Sequence, residues 1–495
     1  MTAAEVSLAA LVTRTDLVLR PDPRRVIAKL FLPGQEMLIS GESRATAVIG
    51  RVLAMSRPEV AATLAATMTA FSGRHRDLER TLEEHFVLVA HRIVDHGAVD
   101  RARRLLIGAY FTQEFSVEAA ALFNPSLVPH PDQGGLEPGE ERVVMSARAV
   151  GEGHLSTVVF HTGVVGPAAE VRIDDPGDVS VAGTRRPTSY ERDAFRRILT
   201  QLGGYDESAA FVLERVPSRF TDAHLDAAVT ELASQRLTRG AAAETIDRIH
   251  RIAACNYELE FPATSALGER VIWPSSPAEG RGIEDARFTR FRDDDGSVSY
   301  FATYTAFDGA HVAPQLLETV DFRVFRVSQL TGAGARNKGM ALFPRRIDGR
   351  YVALSRWDRE NNAVVTSDDC RTWTGPTTLQ TPEHPWELIQ LGNCGSPIET
   401  PYGWLVLTHG VGPMRVYGIG AILLDLDDPR RLVGRLSQPL LTPTEDERDG
   451  YVPNVVYSCG ALVHHDTLVL PYGCSDSSIR IALVDMPGLL DRLRP

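Results

Sequence analysis

Val143-Val-Met-Ser-Ala-Arg148, Tyr300-Phe-Ala-Thr-Tyr-Thr305, Tyr351-Val-Ala-Leu-Ser-Arg356, Trp404-Leu-Val-Leu-Thr-His409 and Thr467-Leu-Val-Leu-Pro-Tyr472 share one pattern. Each is an aliphatic or aromatic strand that ends on a polar group, next to Gly, Pro or Asp turns. From Thr305 onward the segment ends recur after 51, 53 and 63 residues, a range that suits propeller blades of four strands. The first gap, 157 residues, shrinks to about 90 once a helical stretch of ~65 is set aside. The fold expected is therefore mainly β, a five-bladed β-propeller. Equivalent strand ends of such blades face one channel, so Arg148, Thr305, Arg356, His409 and Tyr472 are expected to ring its mouth. Polar strand ends that simply emerge into water are the plain alternative.

Outward from these strands the texture turns helical twice. Glu42–Met55, Pro58–Val94 and Asp100–Tyr110 carry apolar residues at three- and four-residue spacing, as do Tyr190–Leu202, Asp222–Gln235 and Ala241–Ala254. The organisation expected is a helical N-terminal extension over 1–120, then a propeller catalytic domain over 121–495 that is interrupted by a helical insertion at 189–255. The N-terminal helices hold no catalytic cluster, which leaves packing or homo-oligomer formation as their expected use.

The chain has 495 residues, with 64 acidic and 52 basic side chains and a formal charge of −12. That balance argues against nucleic acid or an anionic membrane as the main partner. Lys29 and Lys338 are the only lysines among the basic residues, an imbalance that codon bias explains in bulk. Five cysteines without C-x-x-C spacing suggest free thiols in a reducing compartment. No basic start leads into an apolar run and no stretch approaches ~18 apolar residues, so a cytoplasmic protein without a membrane span is expected. Phosphate-binding glycine loops, H-E-x-x-H and G-x-S-x-G are missing, and no metal ligand set is expected.

Gly282-Ile-Glu-Asp-Ala-Arg-Phe288 sets two carboxylates side by side. In a regular strand neighbours face opposite sides, so Glu284 and Asp285 are expected to diverge while Asp285 and Arg287 share a face. The arginine depresses the carboxyl pKa, which is awkward for a direct proton donor; a purely structural ion pair accounts for the residues equally well. Asn337-Lys-Gly-Met-Ala-Leu-Phe-Pro344 brings in the rare Lys338, which a solvated loop also explains. Asn393-Cys-Gly-Ser-Pro-Ile398 and Val452-Pro-Asn-Val-Val456 read as tight loops entering strands, whose small and amide residues, Asn454 included, suit hydroxyl recognition or ordinary turn chemistry.

Taken together in their order, Phe123-Asn-Pro-Ser126, Gly282–Phe288, Asn337–Pro344, Gly392–Thr400, Gly403–Val411, Gly420–Pro429 and Tyr451–Gly460 resemble glycoside hydrolase family 130. These are inverting β-mannoside phosphorylases and β-mannosidases, and the helical N-terminus is similar to that of the longer branch. The resemblance implies a five-bladed propeller and makes Asp285 the catalytic acid, acting through a sugar hydroxyl. Ala286 stands where the family's Glu-Asp-Pro-Arg motif has proline. It also implies a phosphate pocket of Arg356, His409 and Tyr417, with Lys338, Arg148 and Arg415 as further candidates. Asn124, Glu284, Arg287, Asn337, Asn393, Asn454 and Asp476 are the expected sugar contacts.

The reaction so implied is inverting phosphorolysis of β-linked mannosides, β-1,2-oligomannosides above all, to α-mannose 1-phosphate and a shortened sugar. Oligosaccharide and inorganic phosphate are then the partners and no cofactor is called for. Gln390 replaces a basic residue of many family phosphorylases without adding a carboxylate base. Hydrolysis of the same linkage by a β-mannosidase is the alternative, and it needs an acid and a base ~6.5–9.5 Å apart. A non-catalytic sugar-binding propeller is the second alternative.

Overall fold

The computed structural model describes residues 8–34, 43–186, 188–234 and 239–494; the expected helix ends at Glu42 and Gln235 lie outside them. Five runs of four antiparallel strands hold most of the strand residues described. The first comprises Ala121–Pro129, Glu141–Val150, Ser156–Val165 and Val171–Ile173. The second comprises Gly282–Arg292, Val298–Phe307, Val312–Thr319 and Val324–Gln329, and pairs with the first as a strand at Gly282 and Ser156. A third runs Ala341–Leu342, Tyr351–Ser355, Asn362–Ser367 and Thr377–Gln380. The fourth is Gln390–Asn393, Gly403–Val411, Tyr417–Leu424 and Leu432–Arg435. In the last, Val456–Tyr457, Thr467–Cys474 and Ser478–Asp485 take their outer partner from the other end of the chain, Val12–Leu19. Among the described residues no sheet closes on itself.

The strand cores are fully apolar where two neighbouring runs pack. Leu405, Leu407, Ile419 and Leu423 meet Leu468, Leu470 and Val484 in one cluster, and the last helix, Met486–Leu493, adds Leu489 and Leu490. Trp404 and Phe343, edge to face at 5.1 Å, join the third run to the fourth. Such pairs add to simple burial because ring edge meets ring face.

The two helical regions have cores of their own. In the N-terminal one Ile49, Val52, Phe86, Val89, Leu106 and Phe111 pack together. The expected helix over Pro58–Val94 is two, Arg57–Phe71 and Leu78–Val89, separated by the Ser72-Gly-Arg74 turn where the apolar spacing slips. The insertion packs Phe195, Leu199, Val212, Leu213, Phe220, Leu225 and Ile249. It holds a helix, Glu207–Arg215, that the periodicity left unread, capped by Asp206. Chain entering and leaving the insertion runs through Thr184–Arg186 and Tyr257–Glu260, which pair with each other, so the excursion is closed. No described helix is long and apolar enough to cross a membrane, and all five cysteines are buried and free.

One buried carboxylate ties the insertion's exit to the strand that matters most for the site. Glu279 is 0% exposed. It accepts from the backbone of Ser275 and Ser276 at 2.8 Å, from the Tyr257 hydroxyl at 2.9 Å, and from the Tyr304 hydroxyl. Tyr304 lies opposite Asp285 and Ala286, two residues facing one, which is a β-bulge in Gly282–Arg292. Replacing Glu279 with Gln turns one acceptor into a donor that faces other donors. The substitution is expected to cost about 2–3 kcal/mol in denaturant unfolding, and an unchanged midpoint would contradict this role.

Candidate active site

The bulge decides how the acidic pair is presented. Asp285 adopts φ 56°, a left-handed conformation that Asp tolerates better than most residues. Arg148 reaches both carboxylates, at 2.9 Å to Glu284 Oε1 and 3.6 Å to Asp285 Oδ1, yet of the two only Asp285 lines the cavity, with Arg287 beside it. A second bulge mirrors the first. Asn124 and Pro125 stand opposite Ala147, and Asn124, at φ 49°, donates from Nδ2 to Asp285 Oδ1 at 2.6 Å. Arg287 is almost fully buried and donates back to the Asp285 carbonyl at 3.0 Å and to the Tyr457 hydroxyl at 2.8 Å.

Across a cavity of about 500 Å3 from this group lies Arg356. Its side chain runs over two glycines. A Cβ on Gly392 would stand 2.3 Å from Arg356 Cδ and 2.6 Å from His409 Cε1, and one on Gly339 2.9 Å from Arg356 Cδ. Only glycine leaves that path open. Arg356 is 6% exposed, its Nη2 donates to the Arg359 carbonyl at 3.0 Å, and its Nε has no partner. No carboxylate pairs with it among the described residues. Burial pulls its pKa down and the nearby Arg287 charge adds to this.

Of the residues expected at the site, Asn124, Arg148, Asp285, Arg287, Asn337, Lys338, Arg356, His409, Arg415, Tyr417 and Asp476 line this one cavity. Three do not. Glu284 holds Arg148 and, at 3.5 Å, Lys338. Asn393 is fully buried and donates to the Gly339 carbonyl at 2.7 Å, which fixes the glycine under Arg356. Asn454 turns its side chain to Arg448 at 2.9 Å. Of the five repeated strand ends, Thr305 and Tyr472 are also absent from the lining; Tyr472 donates to Glu447 at 2.6 Å instead. Tyr457 and Arg359 were not singled out in the sequence. Arg359 follows Arg356 by three at φ 73°, a turn signature rather than a catalytic one.

The cavity is strongly cationic. Six Arg and Lys side chains line it against two carboxylates. Burial favours the neutral carboxyl at Asp285, yet Arg148, Arg287 and Lys338 outweigh it and hold the pKa below the usual carboxylate range. Asp476 goes the other way, pushed up to about 6 by burial and by Asp285, against the pull of Arg148 and Arg415. His409 is held neutral, since burial and then Arg356 and Arg287 keep its pKa well below that of a free imidazole. It therefore adds no charge to the cavity. Its Nδ1 lies 3.2 Å from the Asn393 carbonyl, so Nδ1 carries the proton and Nε2 is left as an acceptor. Tyr417 stacks on the imidazole at 6.2 Å, and Gln390 donates to the Tyr417 hydroxyl at 3.4 Å. Among the described residues no group of three or more His, Cys, Asp or Glu is placed to hold a metal ion.

A model of glycoside hydrolase family 130, described as β-1,4-mannooligosaccharide phosphorylase, matches residues 263–494. The chain is 32% identical over 239 residues to a 1,2-β-oligomannan phosphorylase of Thermoanaerobacter sp. (strain X514), covering 45% of this chain and 75% of that one. The chain belongs to glycoside hydrolase family 130. A second relative in that organism, a β-1,2-mannobiose phosphorylase, is 34% identical over 219 residues, 42% of this chain and 68% of its own. The solved β-1,2-mannobiose phosphorylase of Listeria innocua aligns over 77% of this chain and 93% of its own, at 21% identity and a TM-score of 0.43. The family match begins after the insertion, so both helical regions and the first strand run of this family 130 chain lie outside it.

The raised Asp476 pKa has a stability consequence. The folded carboxyl binds its proton more tightly than the unfolded one, so folding loses stability as pH rises from about 4 through about 6. Asp476→Asn removes the buried charge. Its melting temperature is expected to exceed the wild type's at pH 8 and to match it near pH 4. An equal difference at both pH values would contradict the assignment.

Proposed function

We propose that this chain carries out inverting phosphorolysis of β-linked mannosides, β-1,2-oligomannosides in first place, releasing α-mannose 1-phosphate and a sugar one unit shorter. The observation that carries this reading is Arg356, a buried guanidinium without a carboxylate, facing a cavity with six cations and two carboxylates. A buried charge in that state favours an anion, and phosphate oxygens match the guanidinium fork. Tyr417, Arg415 and Lys338 complete the phosphate side, and Asn124, Arg287, Asn337 and Asp476 face the sugar. Glu284, Asn393 and Asn454 act behind these groups.

Phosphate is itself the nucleophile, so no base is needed to activate it. It attacks the anomeric carbon from the face opposite the leaving sugar, the C–O bond breaks, and the leaving oxygen takes a proton. Asp285 supplies that proton through a hydroxyl of the bound mannose, which passes one proton on as it receives another. Phosphate also prepares this acid. Lys338, one of the cations that depress the Asp285 pKa, lies on the phosphate side, so an incoming anion offsets its pull and the proton affinity of Asp285 rises when phosphate binds. His409 Nε2, an acceptor, suits the P–OH of monoprotonated phosphate.

In this reading the five strand runs are the five blades of a propeller over 121–495, with Val12–Leu19 completing the last blade. The helical extension over 1–120 and the insertion at 189–255 are additions to it. Inorganic phosphate is a co-substrate and no cofactor is required. A cytoplasmic enzyme with free phosphate at hand and five reduced thiols fits the same picture.

Incubation of the full chain with β-1,2-mannobiose, with and without phosphate, tests the reading. Mannose 1-phosphate is expected only with phosphate, and Arg356→Gln is expected to lower kcat/KM for phosphate about 10²–10³-fold. Free mannose at equal rates under both conditions would replace it with hydrolysis, with Asp476, the cavity's second carboxylate, as the base.

A further inference from the structure

A second cavity of about 510 Å3 adjoins the first. Val312 lines both, and one short loop serves the two, with Ala335 and Arg336 facing the second and Asn337 and Lys338 the first. The far wall comes from the helical insertion: Gln201 and Leu202, at the end of the Arg192–Gln201 helix. That helix is tied to the β part by Arg197, 3.6 Å from Asp369. Asp369 in turn accepts from the backbone of Arg371 and Thr372 and shapes the turn before Trp373, which is 1% exposed and also lines the cavity.

The chemistry of this wall suits a carbohydrate. Gln201, Gln329 and Arg336 have no side-chain partner among the described residues, which leaves amide and guanidinium donors for vicinal hydroxyls. Leu202, 48% exposed, lies with Val312, Ala313 and Pro314 to offer apolar surface for the C–H face of a sugar ring. A pocket with few placed polar groups on an apolar wall is the usual form of a small-ligand site.

We infer that this second cavity binds the distal units of a β-mannooligosaccharide of three or more sugars, on the leaving-group side of the bond cleaved beside Asp285, and that the helical insertion is there to form its outer wall. The inference rests on the reaction proposed above. It assigns the insertion a part in chain-length selection.

Initial rates of phosphorolysis of β-1,2-mannobiose and β-1,2-mannotetraose by the full chain, and by Leu202→Arg and Arg336→Ala, test it. Wild type is expected to prefer the tetraose in kcat/KM by about tenfold. Both substitutions should abolish that preference while leaving mannobiose kinetics unchanged. Equal kcat/KM for the two sugars in wild type, or losses shared equally between them, would overturn it. Calorimetry of the same sugars on Asp285→Asn keeps the two claims apart. If neither sugar is turned over, the proposed reaction fails, but tighter binding of the tetraose that Leu202→Arg removes would still uphold the distal site. Equal affinity for both sugars would overturn it.

Discussion

A guanidinium taken out of water without a counter-charge is among the costlier features a fold can carry, because the charged group loses hydration and gains no opposite charge. Arg356 is in that position, and much of the surrounding structure follows from it. Two glycines, Gly339 and Gly392, leave room for its stem. Asn393 clamps one of them by its carbonyl, and Asn337 donates to the Arg356 carbonyl at 3.2 Å. His409, 1% exposed beside it, is kept neutral, so the repulsion is not increased. The arrangement spends stability on a site that only a bound anion relieves, a common pattern at functional centres.

The opposite wall obeys a different constraint, one of backbone shape. Two bulges, at Asn124-Pro125 and Asp285-Ala286, break strand alternation at corresponding places in the first two runs. Each sets a residue that tolerates left-handed φ at the break. Proline fills the second bulge position in one and alanine in the other, so a small residue of compatible φ is enough there. Glu279 secures Tyr304 opposite the second bulge, and with it the height at which Asp285 enters the cavity.

The strand runs were legible in sequence because each inner strand is an unbroken apolar segment between turns, and Arg148, Arg356 and His409 at their ends do meet in one cavity. Alternation alone did not show that one arginine reaches both Glu284 and Asp285, since a bulge without its customary proline leaves no local sign. The same limit applies to Thr305 and Tyr472, whose equivalence in the repeat does not fix which way the side chain leaves the strand. Charge could be counted but not located. The charge state of His409 is not readable in sequence, and its burial among arginines makes it neutral. Arg359 and Tyr457 sit in turn and strand contexts that ordinary structure explains. The wall given by Gln201 and Leu202 depends on where the insertion docks, and Arg197 to Asp369 spans more than 170 residues.

Calorimetric titration of the sugar-free protein with inorganic phosphate at neutral pH bears most directly on the central claim, that the cavity is built around one small anion. One phosphate per chain is expected, with the affinity lost in Arg356→Met while the melting temperature holds or rises. Absence of phosphate binding by the folded protein, or binding unchanged in Arg356→Met, would contradict the account.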